Sequence, residues 1–189
     1  MKNEIKAIIF DFVGVLLFER SGYAPDYYVD EADKAIGRMD NDDEFKAKIT
    51  KKFSLGEKEF DSLLRRIVNK YEPLLPLWSL LPELRRKYKL AVINNGTALT
   101  LAKFQLKYEI NEKFDLFISS AIEGIGKPDK EIYLRAAGRL NVKPEDCLFM
   151  DDSLKNVRGA QTAGMQTIWW RNRESGFERF VKYLNLESL

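Results

Sequence analysis

Short apolar segments that recur along the chain constrain its fold more than any other feature. Helical patterns, such as residues 128–140 and 153–163, lie between the later segments. The segments are "AIIF" at 7–10, "LAVIN" at 90–94, "DLFIS" at 115–119, "CLFM" at 147–150 and "QTIWW" at 166–170. Because strands that alternate with helices form parallel sheets, the pattern predicts an α/β fold with a parallel central sheet.

Residues 20–78 interrupt this alternation. They contain no convincing strand, and several stretches have the spacing of amphipathic helices. One helix is predicted near residues 56–71, because Ser54 and Glu57 have the spacing of a capping box. We therefore expect residues 1–19 and 79–189 to form the α/β core, with residues 20–78 as a small helical insertion.

The charges of the chain are nearly balanced. With 31 Lys and Arg against 29 Asp and Glu, the net charge is +2, which favours neither nucleic acid nor an anionic membrane as a partner. No apolar stretch is long enough to cross a bilayer, and no signal peptide is indicated. The single cysteine, Cys147, lies in an apolar segment and fits a buried thiol in a reducing compartment. These features predict a cytoplasmic protein.

The chain contains no histidine. This absence excludes Ser-His-Asp and Cys-His catalysis, and it excludes every zinc site that uses histidine ligands. Any catalysis must therefore depend on carboxylates, lysine or a hard metal ion.

Polar residues follow three of the predicted strands. They are Asp11 after the first strand, Asn94, Asn95 and Gly96 at the end of the second, and Asp151 and Asp152 after "CLFM". Parallel strands place their carboxyl ends at one edge of the sheet, so these residues are expected to converge there. Lys127 precedes Pro128, which is predicted to open a helix, and its side chain can point at the same edge.

Carboxylates and one lysine at a common edge predict a site for a metal ion and an anion. Crowded carboxylates repel one another unless a cation lies among them, and oxygen ligands favour a hard ion such as Mg²⁺. Phosphate is the natural substrate group for such a site, since Mg²⁺ can bridge to it and Lys127 can neutralise it.

Four segments together resemble the haloacid dehalogenase superfamily, in the branch with a helical cap inserted after the first motif (subfamily I, C1-type cap). They are "FDFVGVLL", "LAVINNGT", "GIGKPDKEIY" and "LFMDDSLKNVRGA", in the order found in that family. The resemblance implies a Rossmann-like parallel sheet core, an inserted small helical cap and Mg²⁺-dependent phosphatase chemistry.

The resemblance also implies a role for each matching residue. Asp11 is expected to be the nucleophile that forms an aspartyl-phosphate, and Lys127 is expected to steady it and the transferred group. Asp152 is expected to bind Mg²⁺ together with Asp11 and the backbone carbonyl of Val13. Asp151 is expected to support the metal from an adjacent position or through water.

The segment after the second strand is expected to bind phosphate. Asn94 stands where the family usually has Ser or Thr, and its amide can donate a hydrogen bond in the same way. Asn95 and Gly96 match the usual continuation, in which the glycine backbone is available to approach an anion. The alternative is that the two asparagines are ordinary turn residues.

Val13 is the departure from the family pattern. The family's phosphatases usually have there an aspartate that protonates the leaving oxygen and then activates water, and general acid-base help contributes about 10²–10⁴ in rate. A carboxylate such as Glu19 or Asp26 could substitute for the missing aspartate.

We therefore predict slow Mg²⁺-dependent hydrolysis of a small phosphorylated metabolite. The alternatives are a non-catalytic, regulatory phosphometabolite-binding protein and a 2-haloacid dehalogenase, the latter disfavoured by the acidic pair at 151–152.

Overall fold

The protein is described here by a computed structural model that covers residues 3–36 and 41–186. The strands are β1 (Ala7–Phe10), β2 (Leu17–Glu19), β3 (Tyr71–Pro73), β4 (Lys89–Asn94), β5 (Leu116–Ser119), β6 (Cys147–Asp151) and β7 (Gln166–Trp169). Five of them form one parallel sheet in the order β5-β4-β1-β6-β7. The predicted Rossmann-like α/β fold and its parallel sheet are confirmed.

Helices surround the sheet and form the insertion between β2 and β3. They are α1 (Tyr27–Ala35), α2 (Asp42–Phe53), α3 (Glu57–Asn69), α4 (Leu75–Lys87), α5 (Ala98–Tyr108), α6 (Ile110–Lys113), α7 (Ser120–Glu123), α8 (Lys130–Leu140), α9 (Leu154–Thr162) and α10 (Arg173–Tyr183). Within the described residues, none of these helices combines the length and the apolar character that crossing a membrane requires.

The central sheet is buried on both faces, because successive side chains of a strand point to opposite sides. On one face, Ile8 and Phe10 pack with apolar residues of α4, α5 and α10. On the other face, Ala7 and Ile9 pack with α8 and α9, and Cys147 is buried there as a free thiol. This arrangement leaves the carboxyl ends of the strands as the edge where polar groups collect.

The helices α1, α2 and α3 have a hydrophobic cluster of their own. It contains Val29 and Ala32 of α1, Phe45 and Ile49 of α2, and Phe60, Leu63, Leu64 and Ile67 of α3. The insertion is joined to the sheet domain through α5, where the Nζ of Lys107 donates to the carbonyl of Val68 at 3.2 Å. The division at residues 19/20 and 78/79 stays a prediction.

Two local expectations within this region are wrong. Tyr71–Pro73 forms a short strand that pairs antiparallel with Leu17–Glu19, although no strand was expected there. The capping box of α3 uses Gly56 and Glu59, whose Oε2 accepts from the Gly56 N–H at 2.6 Å. Ser54 instead ends α2 in the left-handed conformation, with φ of 52°.

The start of α8 also differs from the sequence prediction. Asp129 is the N-cap and its Oδ1 accepts from the Glu131 N–H at 2.9 Å, so Pro128 lies before the helix and not in its first turn. The loop formed by Lys127 and Pro128 packs closely on α9. A Cβ placed on Gly159 would overlap the carbonyl oxygen of Pro128.

We expect Gly159→Ala to destabilise the protein and Gly138→Ala to stabilise it. Both glycines lie in helices, where alanine is favoured over glycine by about 0.5–1 kcal/mol. Apart from the backbone of its own helix and its chain neighbours, a Cβ at Gly138 meets no atom of the described residues within 4 Å, whereas one at Gly159 must displace the backbone of Pro128. Overpacking of this kind costs about 1–3 kcal/mol. Urea unfolding of the two variants measures the difference, and a shift of both in the same direction would contradict the packing argument.

Candidate active site

The centre of the site is the ammonium group of Lys127, which lies between two carboxylates. Its Nζ is 2.5 Å from Asp11 Oδ1 and 2.8 Å from Asp151 Oδ2. The side chains of Lys127, Asp11 and Asp151 are only 2, 9 and 0 % exposed, respectively. Because β1 and β6 are neighbours with Phe10 opposite Met150, the residues that follow bring Asp11 and Asp151 together, as the sequence predicted.

Asp152 completes an acidic cluster. Asp11, Asp151 and Asp152 each offer an oxygen that lies within 4.8 Å of the others. The loop after β1 permits this approach, because a Cβ on Gly14 would lie 2.7 Å from Asp152 Oδ2. Glycine also accepts the φ of +104° at this position, which other residues rarely adopt.

The charges of this cluster alter the pKa values of its members. Burial raises the pKa of Asp11 to about 7 against the attraction of Lys127, and the nearby charge of Asp151 raises it further. Burial also raises the pKa of Asp152, again helped by Asp151. Burial alone lowers the pKa of Lys127, but Asp11 and Asp151 together outweigh it, so this pKa is raised overall.

A hard cation fits the donor set. Three carboxylates face one ammonium group, so with all of them ionised the cluster has an excess of negative charge that a divalent cation would neutralise. Carboxylate oxygens are also the ligands that Mg²⁺ accepts.

Asn156 is a site residue that the sequence analysis did not identify. It lies on α9, and its Nδ2 donates to both carboxylate oxygens of Asp151 at 3.0 and 3.1 Å. The N–H of Ser153 donates to the Oδ1 of Asp151 at 2.8 Å. The signal that could have identified Asn156 is its place one helical turn into the segment that follows the acidic pair.

Asn95 holds the backbone of Lys127. Its Nδ2 donates to the Lys127 carbonyl and its Oδ1 accepts from the Lys127 N–H, both at 2.8 Å. The Asn95 side chain is therefore already engaged, so any contact it makes with phosphate must use its main chain. Its role as a phosphate ligand stays a prediction.

Asn94 and Gly96 differ in their access to the site. Asn94 lines the cavity described below, and its side chain makes no hydrogen bond with the described residues. The N–H of Gly96 donates to Ser120 Oγ at 3.1 Å, and its carbonyl accepts from Ser119 Oγ at 2.8 Å. The predicted phosphate contact of Gly96 stays a prediction, and in this structure its N–H donates to the first residue of α7.

A cavity of about 300 Å³ opens above the charged centre. Residues of the sheet domain and of the insertion line it together: Asp11, Phe12, Val13, Asn94, Asn95, Phe104, Lys127 and Asn156 from the former, and Asp33, Lys34, Ile36, Ile67 and Tyr71 from the latter. Its volume lies at the lower end of the range for small-molecule sites.

Neither carboxylate that the sequence analysis offered as a substitute for an acid at position 13 lines this cavity. Asp26 is the N-cap of α1 and forms an ion pair with Arg66. The side chain of Glu19 is 56 % exposed and lies 3.5 Å from the Nζ of Lys70. The carboxylate that the insertion contributes to the cavity, among the residues described, is Asp33.

Comparisons with known proteins agree with this geometry. A family model described as haloacid dehalogenase-like hydrolase matches residues 5–164. A glyceraldehyde 3-phosphate phosphatase of Methanopyrus kandleri is 32% identical over 133 residues, which cover 59% of this chain and 57% of that protein. A phosphatase of Mycobacterium tuberculosis is 33% identical over 129 residues, which cover 65% of this chain and 58% of that protein. The chain thus spans little more than half the length of these two relatives.

A solved structure shares the fold. It is that of a HAD family enzyme from Bacteroides thetaiotaomicron in complex with magnesium and inorganic phosphate. The TM-score is 0.67 at 21% sequence identity, and the match covers 87% of this chain and 93% of the other.

Lys127→Met is expected to destabilise the protein strongly. The change leaves Asp11 and Asp151 buried without their shared cation. Removing one partner of a buried ion pair lowers the free energy of unfolding by about 3–5 kcal/mol. Urea unfolding in EDTA measures this loss, and adding Asp11→Asn to the same chain should recover part of it by removing one of the unpaired charges.

Lys130→Met is the matched control for this experiment. Lys130 is exposed on α8, so its loss should change the free energy of unfolding by less than about 0.5 kcal/mol. Equal effects of the two lysine variants would show that the buried ion pair does not support the fold.

Proposed function

The chain belongs to the haloacid dehalogenase-like hydrolase family, and on that premise we propose that it is a Mg²⁺-dependent phosphatase of small phosphorylated metabolites. The observation that supports this most is the Lys127 ammonium held between Asp11 and Asp151 at the base of the cavity. This arrangement offers a carboxylate nucleophile, a fixed positive charge and a cation site within one small volume.

In the proposed reaction Asp11 attacks the phosphorus of the substrate. Its Oδ1 accepts from Lys127, which leaves Oδ2 to form the new bond to phosphorus while the bond to the leaving oxygen breaks. Lys127 favours the ionised form of Asp11, and its charge also attracts the phosphate. Water then attacks the phosphorus of the aspartyl-phosphate and breaks its bond to Asp11 Oδ2, which releases inorganic phosphate and restores the carboxylate. The leaving oxygen takes its proton from solvent, and the attacking water gives its proton to solvent.

Asp11, Asp152 and the backbone carbonyl of Val13 are the proposed ligands of Mg²⁺, with Asp151 supporting them. When bound, Mg²⁺ would neutralise charge on the phosphate and on the carboxylates. Asn156 and Ser153 hold Asp151 in place, so this carboxylate is fixed before any ion binds.

Phosphate is proposed to contact Asn94, Asn95 and Gly96 at the end of β4. The side chain of Asn94 lies at the cavity and makes no hydrogen bond with any residue that the structure describes, which supports a direct contact for its amide. The side chain of Asn95 instead fixes the loop that carries Lys127.

The helical insertion, residues 20–78, is proposed to act as a cap that selects the substrate. Residues of α1 and α3 line the same cavity as Asp11, which supports this role. The Methanopyrus relative is named for glyceraldehyde 3-phosphate, so this compound is the first natural ester to test. A site with three carboxylates gives no support to attack on an anionic 2-haloacid.

Phosphate release from 4-nitrophenyl phosphate should require both Asp11 and a divalent cation. EDTA and Asp11→Asn should each abolish it, because the first removes the counter-charge and the second removes the nucleophile. Mg²⁺ should also raise the Tm of the wild-type protein, and Asp152→Asn should weaken that rise.

Glu178→Gln is the control, since Glu178 is exposed on α10 and distant in sequence from the site. Mg²⁺ should raise the Tm of this variant as much as it raises that of the wild type. Activity that survives EDTA, or that survives Asp11→Asn, would exclude the proposed nucleophile and metal site.

Val13→Asp should increase the rate of hydrolysis by about tenfold or more, because general acid-base help contributes about 10²–10⁴ and a new carboxylate is not ideally placed. Val13 lines the cavity and its side chain packs on the apolar core. Because this side chain is a hydrocarbon, it cannot take a proton from water. The wild-type protein should therefore accumulate aspartyl-phosphate, which acid quench with labelled substrate measures. Absence of any labelled protein, together with no gain in the variant, would favour the non-catalytic alternative.

A further inference from the structure

Asp33 is the acidic residue that α1 contributes to the cavity. Among the described residues, only Asp11 and Asp33 supply carboxylates to the lining. Asp33 has no part in the phosphate chemistry proposed above. Its side chain is 16 % exposed, so it is mostly withdrawn from bulk water.

One oxygen of Asp33 is held by two neighbours. Its Oδ2 accepts from the Tyr71 hydroxyl at 2.5 Å and from the Nζ of Lys70 at 2.9 Å. Its Oδ1 makes no hydrogen bond with any residue that the structure describes. The carboxylate is therefore fixed in position and, among the described residues, still has an unused acceptor.

The charge of Asp33 is only partly neutralised. Lys70 Nζ also lies 2.9 Å from Asp30 and 3.5 Å from Glu19, so one ammonium group serves three carboxylates. Lys34, the next residue along α1, pairs with Glu31 at 3.1 Å and is 66 % exposed. A ligand group that donates a hydrogen bond is therefore favoured beside the Asp33 carboxylate.

The cavity that Asp33 lines also has apolar side chains. They are Phe12, Val13, Ile36, Ile67 and Phe104. A mostly buried carboxylate retains little hydration, and a hydrogen bond to a charged group in such a place is strong. A ligand without a donor would leave the Asp33 oxygen without a partner, which is costly.

We infer that Asp33 selects phosphate esters whose leaving group carries a hydrogen-bond donor, either a hydroxyl or an ammonium group. The inference rests on the proposed function, because it assumes that phosphate lies at Asp11. The rest of the leaving group would then contact apolar side chains of the cavity.

Pairs of esters that differ only in the donor test this selection in the wild-type protein. Glycerol 3-phosphate is compared with propyl phosphate, and phosphoethanolamine is compared with ethyl phosphate. The donor-bearing ester of at least one pair should have a kcat/KM higher by about tenfold or more, as expected for a hydrogen bond to a charged group. The pair with the larger ratio identifies the donor as hydroxyl or ammonium.

Variants of two aspartates on α1 test whether Asp33 is the residue that makes this selection. Asp33→Ala should lower the ratio within the selected pair by about tenfold, and Asp33→Asn should retain part of it because an amide oxygen still accepts. Asp30→Asn is the matched control: Asp30 bonds the same Lys70 Nζ at the same 2.9 Å but does not line the cavity. The ratio of kcat/KM values within the selected pair should be the same for Asp30→Asn as for the wild type.

A binding measurement separates failure of this inference from failure of the proposed function. Calorimetry with Asp11→Asn protein and Mg²⁺ should show about tenfold tighter binding of the donor-bearing ester. If no ester is hydrolysed but this preference is present, the phosphatase proposal fails and the role of Asp33 stands.

Equal binding and equal kcat/KM within both pairs would overturn the role of Asp33, even with 4-nitrophenyl phosphate hydrolysed. A loss of kcat in Asp33→Ala as large for 4-nitrophenyl phosphate as for glycerol 3-phosphate would overturn it too, since Asp33 would then act in the chemistry.

Discussion

The ion pairs that Lys127 forms with Asp11 and Asp151 are the interaction on which the rest of the structure depends. These three side chains are almost completely buried, and buried charges are stable only when each is paired and hydrogen-bonded. A loop and a helix provide further bonds: Asn95 bonds to the backbone of Lys127, and Asn156 of α9 bonds to Asp151. Polar residues that could have served as simple turn formers are thus occupied in holding the charged centre together.

The parallel sheet is what makes this centre possible. Lys127 and Asp11 are 116 residues apart in the sequence, and both lie at the edge where the strands end. Because β1 pairs directly with β6, the two carboxylates meet without any long loop to bring them together. Burial raises the pKa of Asp11, and the nearby charge of Asp151 raises it further, so the fold that gathers the carboxylates also brings their charges into conflict.

The cavity combines two different environments. The side formed by the strand ends holds the charged, tightly hydrogen-bonded centre. The insertion adds the apolar side chains of Ile36 and Ile67 and, among the described residues, the carboxylate of Asp33. Val13 belongs to the apolar environment, although it follows the proposed nucleophile by only two residues. A separation of this kind allows the leaving group to be selected by one set of residues while phosphate is held by another.

The amino-acid sequence by itself determined the parallel sheet, the strand segments along the chain and the convergence of Asp11, Lys127 and Asp151. Apolar periodicity and strand-end positions are local properties of the chain, so the sequence carries them directly. It did not determine the strand Tyr71–Pro73, which exists only through its pairing with β2 and has no periodic signal of its own. Nor did it determine that Asn95 binds Lys127, that Gly96 donates to Ser120, or that Asp33 lines the cavity in place of Glu19 or Asp26. Those contacts join residues that are distant in sequence, so only the packing of the insertion and the loops against the sheet decided them.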